Sequence, residues 1–267
     1  MARRRLACVV LALSVCFACI TSGEATDTAE VMGPGRVCKA VGAPLGSGCN
    51  CVYIDMGTNV GHQIRKLFEP ELYPSNPTEA LFNSSFGADR SRCCAFGFEA
   101  NPSHARRLHL LASAYRKAGK SVHIFAPTAV STADGSVTFY STPGEGKHNQ
   151  WGASLIREQA EMFKGRSRVK AVQVNALDMS CWIRAHILST SVRPIIVLKS
   201  DIEGSDEHVL SDLLTQGVLC QISSIYGEHM TPEWLQAVQR ILETAGCKTR
   251  FHTLDDETGD DRLPLPK

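Results

Sequence analysis

Two periodicities alternate along the chain. Short apolar runs that stop at an acid or a small polar residue are followed by stretches whose apolar side chains fall three or four positions apart. The first run, Cys51-Val52-Tyr53-Ile54-Asp55, has the unbroken apolar pattern of a parallel strand buried on both faces. Val60, Ile64, Leu67 and Phe68 then repeat at the spacing of one helix face, and Pro70 stops the pattern. A second unit follows: residues 93–98 form an apolar run ending at Glu99, and Asn101-Pro102-Ser103 opens a helix predicted to reach Lys117, with Pro102 in the first turn and Ser103 as a cap.

The alternation continues to the end of the chain. Residues 122–126 read as a third strand, and residues 136–140, after Asp134-Gly135, as an added hairpin strand. An extended segment at 169–174 and a helix at 180–188 come next. Residues 195–199 form the strongest strand, nearly all apolar after Pro194, and deliver Asp201 and Glu203 just past its end. A helix at 206–216, a strand at 218–226, a helix at 232–245 begun by Thr231-Pro232 and stopped by Gly246, and a last strand at 248–254 complete the pattern. Strands alternating with helices imply an α/β domain with a mostly parallel sheet covered on both faces.

Two polar segments interrupt it. Residues 69–92 hold Pro70, Pro74, Pro77 and Gly87 and exceed most connections inside compact domains, so they read equally as a lid or as a surface insertion. Residues 141–152 place His148, Asn149 and Trp151 in a second loop as candidate contacts to an acceptor.

Composition changes the setting more than the fold. Arg3, Arg4 and Arg5 precede an apolar run over residues 6–20 that is too short to span a bilayer comfortably, which divides the chain into a signal peptide (1–25), a Gly/Pro-rich N-terminal arm (26–50) and one domain (51–267). No membrane association is expected after cleavage. With 28 Lys and Arg against 27 Asp and Glu, the chain has no concentrated basic face that would argue for nucleic acid. Of 11 cysteines, Cys8, Cys16 and Cys19 fall in the leader. The rest, Cys38, Cys49, Cys51, Cys93, Cys94, Cys181, Cys220 and Cys247, form an even set without zinc-site spacing, which predicts disulfides in an oxidising secretory lumen. No metal ligand is assigned. Cys51 heads one strand and Cys93 or Cys94 its expected neighbour, so a bridge between them is within reach; Cys93 and Cys94 point to opposite faces, leaving Cys38 or Cys49 for the other. Asn83-Ser84-Ser85 is a glycosylation sequon in what reads as a polar loop.

Candidate chemistry gathers at strand ends, where ligands of open α/β sheets bind. In Asp55-Met56-Gly57-Thr58-Asn59-Val60-Gly61 the glycines permit a tight turn and close helix packing. An aspartate stands where a dinucleotide loop has its first glycine; it would repel a pyrophosphate and suits a cationic ligand, such as the sulfonium and amino group of S-adenosylmethionine. A tight turn with a capping acid is the simpler account of the same residues. Glu99 would accept hydrogen bonds from a ribose diol, or would merely face a helix N-terminus.

Together, Tyr53 to Gly61, Gly97-Phe98-Glu99-Ala100-Asn101-Pro102, Ala176-Leu177-Asp178 and Leu198-Lys199-Ser200-Asp201-Ile202-Glu203-Gly204 resemble the FkbM-type methyltransferases. The resemblance covers roughly residues 51–226, and its last motif is the most specific. It departs from the family in the long span between Asp55 and Glu99 and in Ala100, which replaces the usual proline. The resemblance implies a Rossmann-like seven-stranded sheet, S-adenosylmethionine as donor, and a carbohydrate-like or small hydroxylated acceptor. It also implies that Asp55, Gly57, Asn59, Gly61 and Glu99 line the donor site, with Asp178 and Asp201 at or near it. For methyl transfer to a hydroxyl, Asp201 and Glu203 are the candidate bases and Lys199 their charge partner; a structural ion-pair cluster is the competing account. Two other readings of the whole chain stand beside it: a secreted non-catalytic module retaining the methyltransferase fold, and a nicotinamide-dependent oxidoreductase, which the missing glycine disfavours.

Overall fold

A computed structural model describes residues 30–33, 36–39, 42–141, 152–164, 168–254 and 263–266. The expected signal peptide and the loop residues His148, Asn149 and Trp151 lie outside the described residues.

The elements run, in chain order, β1 (Glu30–Gly33), β2 (Arg36–Lys39), β3 (Cys51–Met56), α1 (His62–Phe68), α2 (Thr78–Phe86), β4 (Cys93–Phe98), α3 (Pro102–Lys117), β5 (Ser121–Phe125), β6 (Thr128–Ser131) and β7 (Gly135–Ser141). Then follow α4 (Arg157–Lys164), β8 (Lys170–Asp178), α5 (Met179–Ile183) with a π-helical turn (Arg184–Leu188), β9 (Ile195–Ser200), α6 (Asp206–Thr215), β10 (Ser224–Gly227), α7 (Pro232–Thr244) and β11 (Arg250–His252).

The central sheet has six parallel strands in the order β11-β10-β9-β3-β4-β5. The resemblance implied seven; no seventh strand joins this sheet among the described residues. A small mixed sheet, β6-β8-β7, lies beside it, and β1 and β2 form a separate antiparallel pair. The central strands are apolar throughout because both faces are covered. Val52, Ile54, Phe96, Phe98, Ile196 and Leu198 face one core, shared with Trp182 of α5 and with Val209, Leu210 and Leu213 of α6. Tyr53, Ala95, Val197 and Tyr226 face the other, shared with Ile64 of α1, Phe82 of α2 and Leu108 and Leu111 of α3. Each such fully buried side chain contributes about 1.5–3 kcal/mol.

Several expected elements take a different form. Residues 69–92 are neither lid nor loose insertion: Pro77 leads into α2, whose Leu81 and Phe82 are buried in the second core. The prolines punctuated a helix too short to show a clear apolar stripe. The sequon therefore lies on the last turns of a helix, where Asn83 donates to Glu79 Oε1 (3.0 Å) and accepts from Arg90 (2.8 Å). Residues 136–140 do not close a hairpin on β6, because β8 inserts between β6 and β7. The apolar start of 218–226 is a 3-10 turn, Leu219–Gln221, with Leu219 buried. Asn101, not Ser103, caps α3, accepting from the Ser103 N–H. Thr231 caps α7 as expected.

All eight cysteines beyond the leader are paired: Cys38 with Cys181, Cys49 with Cys94, Cys51 with Cys93, and Cys220 with Cys247. Cys51 and Cys93 are register partners at the start of β3 and β4, while Cys94, turned to the opposite face, takes Cys49. The N-terminal arm is held by Cys38–Cys181 and by Arg36, which bonds Asp178 (2.8 Å) and Asp212 (3.0 Å). Four disulfides fit an oxidising, extracellular or secretory environment. No helix of the described residues is long and apolar enough to cross a membrane.

Candidate functional site

From β3 the chain proceeds outward through β4 and β5 on one side, then returns to place β9, β10 and β11 on the other. The reversal lies between β3 and β9, the position where doubly wound sheets open a crevice at their carboxyl ends. Asp55 on β3 is in register with Lys199 on β9, and the segments that leave these two strands converge. Gly57 (φ 83°) makes the turn after β3; a Cβ there would fall 1.8 Å from the Asp201 carbonyl oxygen. This glycine is required by the approach of two backbones. Gly61 has a different reason: a Cβ would strike Leu111 of α3 at 2.4 Å, so it lets α1 pack close.

Glu99, at the end of β4, is buried, and its two oxygens accept from the backbone N–H groups of Asn59 (2.6 Å) and Asn101 (2.7 Å). Burial outweighs those two bonds and raises its pKa to about 7. The carboxylate thereby ties the glycine turn to the entry of α3. Asn59 adopts a left-handed backbone (φ 52°), and its side-chain oxygen is buried with no hydrogen-bond partner.

Asp55 is wholly buried beneath the turn, and neither of its carboxylate oxygens is hydrogen-bonded. Lys199 Nζ stands 3.7 Å from it and donates to Asp201 Oδ2 and to the Gly57 carbonyl, both at 3.0 Å. Burial raises the Asp55 pKa to about 6 against the pull of Lys199. For Lys199 burial works the other way, yet Asp201 and Asp55 together hold its pKa above the ordinary lysine value.

The loop beyond β9 is organised by Asp206, a buried acid at the start of α6. It accepts from the Ser200 hydroxyl (2.5 Å) and from the N–H groups of Ile202 and Gly204 (3.2 Å each). Glu203 (φ 53°) accepts from the Gly152 N–H (3.1 Å) and lies 3.5 Å from His229 Nε2. His229 (φ 58°), just past β10, is also 3.8 Å from Asp201 and from Glu228. Contact with Glu203 is the main reason its pKa is raised to about 9. Of the four non-glycine residues with left-handed backbone among the described residues, three stand here: Asn59, Glu203 and His229. Such conformations cluster at functional sites.

A cleft open to solvent lies at this point. Gly57, Asn59 and Glu99 line one part of it, Asp201 and Glu203 another, and Phe98, Val130 and Phe139 supply apolar wall. Among the residues singled out from sequence, the structure brings these five together at the surface of one cleft. Asp55 and Lys199 lie below, behind the turn. Gly61 lies in the α1–α3 contact. Asp178 is engaged elsewhere: it caps α5 through the Cys181 N–H (3.0 Å) and pairs with Arg36.

His229 and Asp206 were not singled out from sequence. The signal for His229 was its position just past a strand end, two residues beyond Gly227, the rule that selected Asp201. Asp206 looked like an ordinary helix-entry acid, and only the folded loop discloses its three hydrogen bonds.

No family model matches this chain, and neither the curated proteins nor the solved structures contain a significant match to it.

Proposed function

We propose that this protein is an S-adenosylmethionine-dependent O-methyltransferase with a Rossmann-like sheet, acting in the secretory pathway on a carbohydrate-like or small hydroxylated acceptor. The observation that carries the reading is the convergence, on one cleft at the sheet's reversal point, of the Gly57–Asn59 turn, Glu99, Asp201 and Glu203.

The residues present fit the donor. The cleft is rich in acceptors and poor in cations, with the Asn59 side-chain oxygen unsatisfied and two carboxylates at its surface beyond Glu99. Such a lining suits a ligand that carries positive charge and hydroxyl donors better than a pyrophosphate. Glu99, held by two amides, has lone pairs left for a ribose diol. The donor supplies an electrophilic methyl group on a sulfonium. The chain's own residues have two tasks: to hold the acceptor oxygen in line with that methyl, and to take the proton it sheds. Asp201 is the proposed base, its carboxylate oriented by Lys199. With the donor bound, Asp201 would take the proton that the acceptor hydroxyl sheds on methylation, and Lys199 would hold that carboxylate in place.

A second reading, a non-catalytic secreted module, is supported by the burial of Asp55, which puts one expected ligand contact out of reach. Calorimetry with S-adenosylmethionine and with NAD separates these. Binding of S-adenosylmethionine alone, weakened by Glu99→Ala, supports the first; binding of neither supports the module; NAD binding overturns both.

A further inference from the structure

We propose that Asp201, Glu203 and His229 form a binding site for a divalent transition-metal ion of the Mn²⁺ or Zn²⁺ class at the edge of the cleft. One ligand atom from each residue lies within 4.8 Å of the other two. His229 Nε2 stands 3.5 Å from Glu203 Oε2 and 3.8 Å from Asp201 Oδ1. Ligands placed 2.0–2.2 Å from a tetrahedral ion are separated by about 3.5 Å, close to the two spacings from His229, and the two carboxylate oxygens lie within 4.8 Å of each other.

The donor set selects the ion. One imidazole and two carboxylates are a mixed nitrogen and oxygen set, too rich in nitrogen for Ca²⁺ or Mg²⁺ and without the thiolate that Cu⁺ prefers. Three protein ligands leave positions open, the arrangement of a catalytic rather than a structural ion. Asp201 and Glu203 line the cleft, which places the site at its edge.

The charge balance of the surroundings favours a cation. Asp55, Glu99, Asp201, Glu203 and Glu228 crowd the carboxyl ends of four adjacent strands, against which the described residues set Lys199 and His229. Lys199 is already committed to Asp55, Asp201 and the Gly57 carbonyl. The ligands are also held in place independently of any ion: Asp206 fixes the loop carrying Asp201 and Glu203, and the Gly152 N–H and the Ser154 hydroxyl fix Glu203. An ion here would bind the acceptor oxygen and lower its pKa, and with the ion bound Asp201 would act as its ligand rather than as the base; that role rests on the methyltransferase reading, and the site itself does not.

The test is titration of the disulfide-bonded, metal-stripped chain with MnCl₂, followed by calorimetry and by the Mn²⁺ paramagnetic resonance signal. The wild type should bind one ion. His229→Asn keeps a residue that tolerates the left-handed backbone but removes the imidazole, and Glu203→Gln removes a charge; each should weaken binding by at least about tenfold. Thermal unfolding of both variants checks that the fold is intact. Absence of Mn²⁺ binding in the wild type, or undiminished binding in folded His229→Asn, overturns the site and leaves a protonated histidine bridging carboxylates. Metal binding without S-adenosylmethionine binding would sustain this site while removing the methyltransferase reading; the reverse result would do the opposite.

Discussion

The Glu99 carboxylate accepts a 2.6 Å hydrogen bond from the backbone N–H of Asn59, 40 positions earlier in the chain. One side chain therefore joins the end of β4 to the turn that leaves β3, and with its second oxygen it fixes the entry to α3 through the Asn101 N–H. In Glu99→Gln one of those two amides must face an NH₂ group. The variant should lose about 1–3 kcal/mol of stability, read from urea unfolding. It should also bind S-adenosylmethionine at least tenfold more weakly, about 1.4 kcal/mol by calorimetry. Unchanged affinity in a folded variant would remove Glu99 from the donor site.

A pH dependence follows from the same burial. The folded-state pKa of Glu99, about 7, lies above its ordinary value of 4.5, so the folded state holds the proton more tightly than the unfolded chain. Its contribution to stability is then complete below 4.5, declines as pH rises, and is lost above about 7. Asp55, raised to about 6, acts in the same direction over a lower window. Urea unfolding at pH 5, 6, 7 and 8 should show a downward slope that flattens in Glu99→Gln. Donor affinity should run the opposite way, rising to a plateau above pH 7, because the ionised carboxylate is the better acceptor for hydroxyl donors.

The strand and helix order was legible because apolar runs this short, each ending at an acid, fit a buried strand and are too brief for a buried helix. Asp55, Glu99 and Asp201 sit at three strand ends, and the ends of β3, β4 and β9 do meet. What the pattern could not carry was depth. Asp55 and Asn59 are four residues apart, yet one lies beneath the turn and the other lines the cleft, because the left-handed φ of Gly57 reverses the chain between them. Asp178 matched its motif equally well, but its strand belongs to the mixed sheet and its carboxylate to Arg36. Alternation could not separate β8 from the central strands, since register is settled by partners distant in sequence.

Lys199 is the buried cation on which two carboxylates depend. Lys199→Met removes the charge at nearly constant volume and leaves Asp55 wholly buried beside no cation. The expected cost is about 3–5 kcal/mol in chemical denaturation. Adding Asp55→Asn should recover part of that loss. If the double variant is no more stable than the single one, the cost arises from packing or from the lost bond to the Gly57 carbonyl.

The disulfides make a prediction independent of ligands. Peptide mapping without reduction should recover Cys49–Cys94 and Cys51–Cys93 as separate links across one pair of strands. Replacing Cys220 and Cys247, which close a loop of sequence separation 27, should cost about 2–4 kcal/mol. A thermal scan of the Cys220→Ala/Cys247→Ala variant measures it, with a drop of several degrees expected.

The two glycines of the turn should respond differently to repair. In Gly57→Ala the new methyl meets the Asp201 backbone carbonyl at 1.8 Å, an obstacle that no side-chain substitution removes. In Gly61→Ala it meets the end of the Leu111 side chain at 2.4 Å. Both variants also carry the strain of a left-handed backbone, about 1–2 kcal/mol. Trimming Leu111 to alanine creates its own cavity but clears the second clash, so the combined Gly61→Ala/Leu111→Ala variant should be less destabilised than the sum of its single changes. Gly57→Ala combined with Ile202→Ala, whose side chain lies farther off at 3.7 Å, should show no such relief. Because the Gly57 clash falls on Asp201 itself, that variant should also lose Mn²⁺ affinity, whereas Gly61→Ala/Leu111→Ala should keep it.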